Sequence, residues 1–324
     1  VSHHHVACPL CGADDAAPRY RLEVGSLVTC RGCGLTYVTP RIDAAEMERR
    51  LQSWAVQDTV DETRLAIAFE PATMALYARH VAAMTRAANG GAGGAGRMLD
   101  VGCATGAFLL AGRDAGWAVE GLELGEASAA YAREALGIPV TLGSLYGAEP
   151  VAAPYDAAVL LEVIEHLPAP LDALRRLHGW LRPGGVLLLS TPNFDSLYRR
   201  LAGTRWWVVN CEEEHIVLFT PQTIAAALEQ AGFEVVSLGT RSLDHGGILR
   251  AALGRHGDPR AATGAGYYEA RGRKGRLKAW LGRLGVLGLA RAALRLQDRL
   301  LSWRGSPVYG LGEQLVVLAR RRAS

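Results

Sequence analysis

Arg97-Met-Leu-Asp-Val-Gly-Cys-Ala-Thr-Gly106, followed by Ala118-Val-Glu-Gly-Leu-Glu123, decides the fold of this chain. The first stretch predicts a short strand that runs into a glycine turn and then a helix. Gly102 and Gly106 bracket the turn, where glycine lets the backbone come close to a ligand and take angles that other residues avoid. The helix that follows presents unpaired N–H groups toward that ligand. A second strand ends on an acid, Glu123, which lies 23 residues after Asp100. That is near the spacing of about 20 residues at which a second-strand carboxylate reaches a ribose diol in a doubly wound sheet.

The turn reads G-x-x-x-G, not the G-x-G-x-x-G of dinucleotide enzymes. Asp100 ends the first strand, just before the turn. A carboxylate there would repel a pyrophosphate but suits a ligand with a cationic or amino-acid end. The stretch resembles motif I of class I S-adenosylmethionine (SAM)-dependent methyltransferases, and Glu123 matches their ribose-binding acid. The resemblance implies a cofactor site built from Asp100, Gly102, Cys103, Gly106, Glu123 and Leu124.

Outward from this centre, strand and helix patterns alternate, which predicts an α/β fold with a parallel sheet covered on both faces. Strands are expected at 98–101, 118–122, 139–142, 157–161, 186–190, 231–236 and 313–319. Helices are expected at 107–115, 127–136, 171–180 and from Pro221, which sits at the first-turn position that proline tolerates. Further segments carry the same resemblance in order. Gly143-Ser144-Leu145 stands where the family has Gly-Asp, so Ser144 replaces the adenine-binding carboxylate. Tyr155-Asp156, Leu161-Glu-Val-Ile-Glu-His-Leu167, Leu181-Arg-Pro-Gly-Gly185 and Ser190-Thr-Pro-Asn193 match the entry and exit of strand four, the turn before strand five, and its end. The expected architecture is a Rossmann-like seven-stranded methyltransferase sheet with an N-terminal zinc ribbon and helical additions. Residues 1–40 form the ribbon, 41–96 a helical cap and glycine-rich linker, 97–240 the SAM-binding core, 241–310 a basic helical insertion, and 311–324 the last strand.

The ribbon rests on Cys8-Pro-Leu-Cys11 and Cys30-Arg-Gly-Cys33, two C-x-x-C pairs in a chain whose start lacks the apolar stretch of an export signal. The spacing reads as zinc rather than disulfide chemistry. Four thiolates give the closed, structural kind of zinc site. Tyr20–Val24 and Ser26–Thr29 alternate as a hairpin would. No role is assigned to His3, His4 and His5. In 41–89, helices are expected at 44–51 and 71–88, with Met74, Tyr77, Val81 and Met84 on one face.

Candidate chemistry gathers at the carboxyl ends of strands four and five, where an open α/β sheet binds ligands. Glu162, Glu165 and His166 form an E-x-x-E-H cluster similar to one in ubiquinone-pathway O-methyltransferases, where it is thought to hold a divalent metal. Here the metal-free reading is favoured, with Glu162 lining the SAM pocket. Glu213-Glu-His215-Ile-Val-Leu-Phe-Thr-Pro221 resembles a stretch of sugar C-methyltransferases whose histidine is proposed as the base. His215 at the lip of the core, with an ordinary pKa of about 6.5, suits that role, and Glu214 is placed to orient it; His166 is the other candidate base. Asp244-His-Gly-Gly-Ile-Leu-Arg250 resembles H-G-G-S-L-R of the same enzymes, with Ile248 for serine. Asn193, His245, Arg250 and Trp206 are expected to face the substrate, Trp206 as a pocket roof or as a core plug.

Forty-nine per cent hydrophobic residues and a formal net charge of +3 describe a globular chain with no general pull toward nucleic acid. Thr191-Pro-Asn-Phe194 also lacks the second proline of the N-P-P-[YF] motif of amino-methylating DNA and RNA enzymes. Residues 271–304 carry ten Lys or Arg and one acid, Asp298. Such a basic amphipathic stretch can lie on a membrane, hold an anionic substrate, or be a solvated helix face. The expectation is a cytoplasmic monomer or homodimer. It transfers a methyl group from SAM to a small-molecule acceptor, such as a sugar nucleotide, at carbon or oxygen. A lipid-linked acceptor and a non-catalytic SAM-binding scaffold are the competing readings.

Overall fold

The computed structural model describes residues 2–22, 25–43, 45–47, 49–50, 60–89, 96–148, 153–210, 214–241 and 310–322. His245, Arg250 and the basic stretch 271–304 lie outside them. In chain order the strands and helices are β1 (Ala16–Arg21), β2 (Ser26–Cys30), β3 (Thr36–Thr39), α1 (Glu62–Ala68), α2 (Pro71–Asn89), β4 (Arg97–Val101), α3 (Ala107–Asp114), β5 (Ala118–Glu123), α4 (Glu126–Glu134) and β6 (Val140–Leu142). There follow β7 (Tyr155–Leu161), α5 (Pro170–Trp180), β8 (Leu181–Pro192), α6 (Leu197–Ala202), β9 (Val217–Leu218), α7 (Pro221–Gln230), β10 (Phe233–Arg241) and β11 (Gln314–Arg321).

Seven strands form one sheet in the order β10-β11-β8-β7-β4-β5-β6. From β8 to β6 all pairs are parallel, and β11 runs antiparallel between β8 and β10. The parallel strands are near-continuous apolar runs because helices cover both faces. Leu99, Val101, Leu160, Leu187 and Leu189 feed one core, and Met98, Ala157, Val159, Val186 and Leu188 feed the other. The second core is closed by α2, which buries Val81 and Met84 and packs Met74 and Tyr77 against them. Trp117 Nε1 donates to Thr85 Oγ1 at 3.0 Å, so this face also has a directional tie.

The chain leaves β4 toward β5 and β6, then crosses back to β7 on the other side of β4. This reversal opens a crevice at the carboxyl ends of β4 and β7, the place where doubly wound sheets bind ligands. At the opposite end Asp156 closes the sheet. It accepts from Arg182 Nε at 2.5 Å and from the Arg97 backbone N–H at 2.8 Å. Although partial burial opposes it, these donors hold its carboxyl below the usual carboxylate range.

Several elements differ from the sequence expectation. Strand β8 starts at Leu181 rather than 186, because Arg-Pro-Gly-Gly185 forms an irregularity in the pairing with β7 instead of a separate loop. Gly184 takes a φ of 76° there. Helix α1 lies in the expected helical cap, between the two helices given bounds there; Asp61 caps it by accepting from the Arg64 N–H. Strand β3 was unforeseen. It adds to the β1–β2 hairpin and pairs antiparallel with β9, so a four-stranded sheet of order β1-β2-β3-β9 joins the cysteine module to the distant His215 segment. Cys8, Leu10, Leu35, Tyr37 and Met47 share one apolar core with Leu160, Leu189, Phe219 and Phe233. The module is therefore packed into the main core rather than hung from a linker.

Candidate active site

The glycine turn has positive φ at Gly102 (74°), Ala104 (47°) and Gly106 (82°). Glycine takes such angles at little cost, whereas Ala104 stores strain of order 1 kcal/mol or more. That strain is offset locally: the Ala104 N–H donates to Glu123 Oε2 at 2.7 Å, and the Gly125 N–H donates to Oε1 at 2.7 Å. Glu123 is thus clamped between the first turn and the turn after β5, half-buried and facing the crevice edge. A Cβ on Gly102 would lie 2.6 Å from Val163 Cγ2, so the exposed Gly102 backbone is open only because no side chain is there.

Asp100 is 3% exposed beneath the turn. Burial first, and then the charge of Glu123, push its carboxyl well above the usual range. Cys103 is buried, and burial pushes its thiol up. Its Sγ sits where a Cβ on Gly121 would be, at 2.5 Å. Leu124 is half-buried, Leu145 is buried in the core, and Ser144 Oγ accepts from the Gly147 N–H at 3.2 Å. Ser144 therefore serves its own turn at the end of β6. All these residues stand at the carboxyl ends of β4, β5 and β6, along one edge of the sheet.

The E-x-x-E-H cluster divides. Glu162 adopts a φ of 54°, and its Oε1 accepts from Ser190 Oγ at 2.7 Å and from Gln314 Nε2 at 2.6 Å. Glu165 turns the other way, is 1% exposed, and accepts from Thr191 Oγ1 at 3.0 Å. Burial, and then the charge of Glu162, push its carboxyl well above the usual range. Glu165, His166 and His215 each offer one ligand atom, and these atoms all lie within 4.8 Å of one another; Glu162 does not belong to that group.

His166 and His215 pair ring to ring, 4.8 Å between centroids. His166 Nδ1 donates to the Glu214 carbonyl at 2.8 Å, and His215 Nδ1 donates to the Val208 carbonyl at 3.2 Å. A ring whose Nδ1–H is committed in this way carries its lone pair on Nε2. The expectation of an ordinary pKa for His215 is corrected. The ring is 7% exposed, and burial followed by the neighbouring His166 pulls it down to about 3. The Val208 carbonyl orients the His215 ring, and Glu214 contributes its backbone carbonyl to His166.

Two residues expected to face substrate serve the interior instead. Asn193 is fully buried; Nδ2 donates to the Gly310 and Gly312 carbonyls at 2.9 and 2.7 Å, and Oδ1 accepts from the Asp195 N–H. It fastens the end of β8 to the chain entering β11. Trp206 is 1% exposed and packs with Leu27, Val38, Phe194, Val208 and Leu218. Of the two readings of Trp206, this is the core plug. Gln314 and Arg41 took no part in the sequence argument, and Thr191 entered it only within a motif and not as a site residue. Their signal was weak, because each acts through a fold contact rather than within a motif.

Away from the crevice, the sulfur pairs Cys8–Cys33 and Cys11–Cys30 are each 3.5 Å apart. All four sulfurs lie within 4.8 Å of one another, close enough to share one ion. A tetrahedral zinc site with Zn–S of about 2.3 Å has edges of roughly 3.8 Å, close to this spacing. The N–H groups of Leu10 and Cys11 aim at the Cys8 sulfur, and those of Gly32 and Cys33 at the Cys30 sulfur. The donor set therefore fits a thiolate-bound zinc, and the five described cysteines are free of disulfides.

This geometry is that of a known class. A methyltransferase-domain profile matches residues 70–238, and the chain belongs to that family; its fold is that of the SAM-dependent methyltransferases. The ubiquinone biosynthesis O-methyltransferase of Pseudomonas paraeruginosa (strain DSM 24068 / PA7) is 37% identical over 109 residues, 32% of this chain and 47% of that protein. The one from Bordetella avium (strain 197N) is 31% identical over 168 residues, 48% of this chain and 68% of that protein. The chain spans about half the length of the first curated relatives it matches.

Among solved structures, Burkholderia thailandensis 1,6-didemethyltoxoflavin-N1-methyltransferase, with bound 1,6-didemethyltoxoflavin and S-adenosylhomocysteine, has a TM-score of 0.51 at 16% identity. It covers 95% of this chain and 100% of that one. The [4+2]-cyclase SpnF has a TM-score of 0.51 at 18% identity, covering 86% and 97%. At such identity these likenesses speak for the fold alone.

Proposed function

We propose that this protein transfers a methyl group from SAM to a small-molecule acceptor, at oxygen or carbon, with the His166–His215 pair as its base. The observation that carries the reading is the junction of two features at one sheet edge. One is the Gly102–Gly106 turn with Glu123 clamped beside it; the other is a pair of buried imidazoles with lone pairs on Nε2.

Bound SAM would supply an electrophilic methyl group on a sulfonium. Glu123 would receive the ribose diol, using the lone pairs its oxygens do not spend on Ala104 and Gly125. Asp100 would face the methionine ammonium, and the bare Gly102 backbone would admit the chain between them. Nε2 of His215 or His166 takes the acceptor's O–H or C–H proton as the new bond to the methyl carbon forms and the carbon–sulfur bond breaks. The products are the methylated acceptor, a protonated imidazole and neutral S-adenosylhomocysteine. Proton removal by a placed base contributes typically about 10²–10⁴-fold. The buried ring is a weak base, and a negative charge on the acceptor beside it would strengthen it by favouring the imidazolium.

His245 and Arg250 remain proposed acceptor contacts, and Cys8, Cys11, Cys30 and Cys33 a structural zinc site. The acceptor we favour is small and polar, such as a sugar nucleotide or a phenol. Support comes from the sequence likeness of His215 and Asp244–Arg250 to sugar C-methyltransferases and from the O-methyltransferase relatives. The fold likeness to SpnF, a [4+2]-cyclase, keeps a second reading in view, in which this chain is a SAM-binding scaffold that transfers no methyl group. Titration calorimetry with SAM and S-adenosylhomocysteine, followed by an acceptor screen that reads S-adenosylhomocysteine release, tests both. Micromolar binding with acceptor-dependent release supports transfer. Binding with no release for sugar-nucleotide and phenolic panels favours the second reading, and absence of binding by zinc-replete protein rejects both.

A further inference from the structure

We propose that Arg41 is a positioning residue for the His166–His215 pair, through which the cysteine module holds both imidazoles in place. The proposal rests on the reading of that pair as the base.

The two histidines sit on separate segments, and the module grips each of them. Strand β3 fixes the His215 segment: Thr36 and Tyr37 register with Leu218 and Val217, and the Val38 N–H donates to the Ile216 carbonyl at 3.0 Å. The Ile216 N–H in turn donates to the Glu165 carbonyl at 3.0 Å, so the two segments are also tied to each other. Just beyond β3, the Arg41 backbone exchanges two hydrogen bonds with His4, at 2.8 and 3.0 Å, which anchors it in the module. Its side chain crosses to the other segment, where Nη2 donates to the Pro168 carbonyl at 2.9 Å, two residues after His166. Tyr146 holds the next residue, its hydroxyl donating to the Ala169 carbonyl at 3.0 Å and accepting from the Ala169 N–H at 3.3 Å.

Arg41 is an expensive way to make one contact. It is 7% exposed, Nη1 is buried without a hydrogen-bond partner, and among the described residues no carboxylate pairs with it. Burial weakens the cation, pulling its pKa down to about 10, with the Tyr146 and Tyr37 phenols opposing. An apolar side chain of similar length would fill the space with less desolvation, as replacements of buried charges often do. What it would lack is the donor on the 166–168 turn. The segment leaves a single 3-10 turn, Ile164–His166, which ends two residues before Pro168. The guanidinium supplies the missing restraint, so that His166 Nδ1 meets the Glu214 carbonyl and the lone pair stays on Nε2.

The experiment is nitrogen-15 NMR of the histidine rings in the full zinc-loaded chain, with His166 and His215 assigned from their Asn variants. It needs no acceptor. Wild type is expected to show the Nδ1–H tautomer for both rings at neutral pH. Arg41→Met is expected to lose the single Nδ1–H signature of His166, giving a mixture of tautomers that titrates closer to the ordinary histidine range. Zinc content and S-adenosylhomocysteine affinity should stay within threefold of wild type, about 0.7 kcal/mol. Arg41→Lys, which keeps one donor, should restore the signature in part. An unchanged His166 signature in Arg41→Met overturns the proposal. So does loss of zinc or S-adenosylhomocysteine binding together with the signature, for then Arg41 serves the fold as a whole. If wild type itself lacks the Nδ1–H tautomer, the reading of the pair as the base fails instead, independently of Arg41.

Discussion

His166 and His215 stand 4.8 Å apart with their ring planes 44° from each other, and each spends its Nδ1–H on a backbone carbonyl. Two imidazoles so close cannot both be charged at low cost, and the fold keeps them neutral by burial.

The pH dependence of stability follows from that. His215 has a folded pKa of about 3, against about 6.5 in an unfolded chain. Between these values the unfolded state binds a proton that the folded state refuses, so stability rises with pH across the window. It is fully present above about 6.5 and is lost as pH falls toward 3, with a slope of up to about 1.4 kcal/mol per pH unit. His215→Gln should flatten the slope by about one proton in urea melts from pH 7 to 4. Superimposable slopes for the two proteins would contradict the assignment.

Glu123→Ala should weaken S-adenosylhomocysteine binding by about 10–100-fold, since a charge-assisted hydrogen-bond acceptor is worth about 1.5–3 kcal/mol. It should also loosen the turn, because Ala104 and Gly125 lose their acceptor. Calorimetry reads the affinity, and amide exchange at Ala104 reads the loosening. Wild-type affinity in the variant would remove Glu123 from the cofactor site.

Burial, and then the charge of Glu123, push the Asp100 carboxyl well above the usual range. Pairing with an ammonium favours the ionised carboxylate, so SAM binding should release protons and tighten as pH rises through the range in which the free site titrates. Titrations in two buffers of different ionisation enthalpy count those protons. Asp100→Asn should abolish the buffer dependence; if it persists unchanged, another group is titrating.

Metal analysis should return one zinc per chain, held by Cys8, Cys11, Cys30 and Cys33. Cys11→Ser should weaken its retention under chelator and lower the melting temperature by several degrees, because metal binding and folding are linked in such sites. A second equivalent of divalent metal that survives Cys11→Ser and disappears in His215→Asn would assign Glu165, His166 and His215 as a metal centre. That outcome would displace the metal-free base.

Much of this protein is written in local patterns. The Arg97–Gly106 turn, Glu123, the alternation of strand and helix and the two C-x-x-C knuckles all arise from residues near each other in the chain. Backbone sterics at glycine, apolar periodicity and thiolate spacing act over a few residues, so sequence alone determines them. Tertiary structure decided what depends on which distant groups share a burial site. It sent Glu162 to Ser190 and Gln314, and Glu165 to Thr191, although the two acids are one motif in the chain. It also turned Asn193 and Trp206 inward, and laid β3 against β9. The His215 pKa belongs to this second class, because desolvation depends on everything packed around a ring and not on its neighbours in sequence.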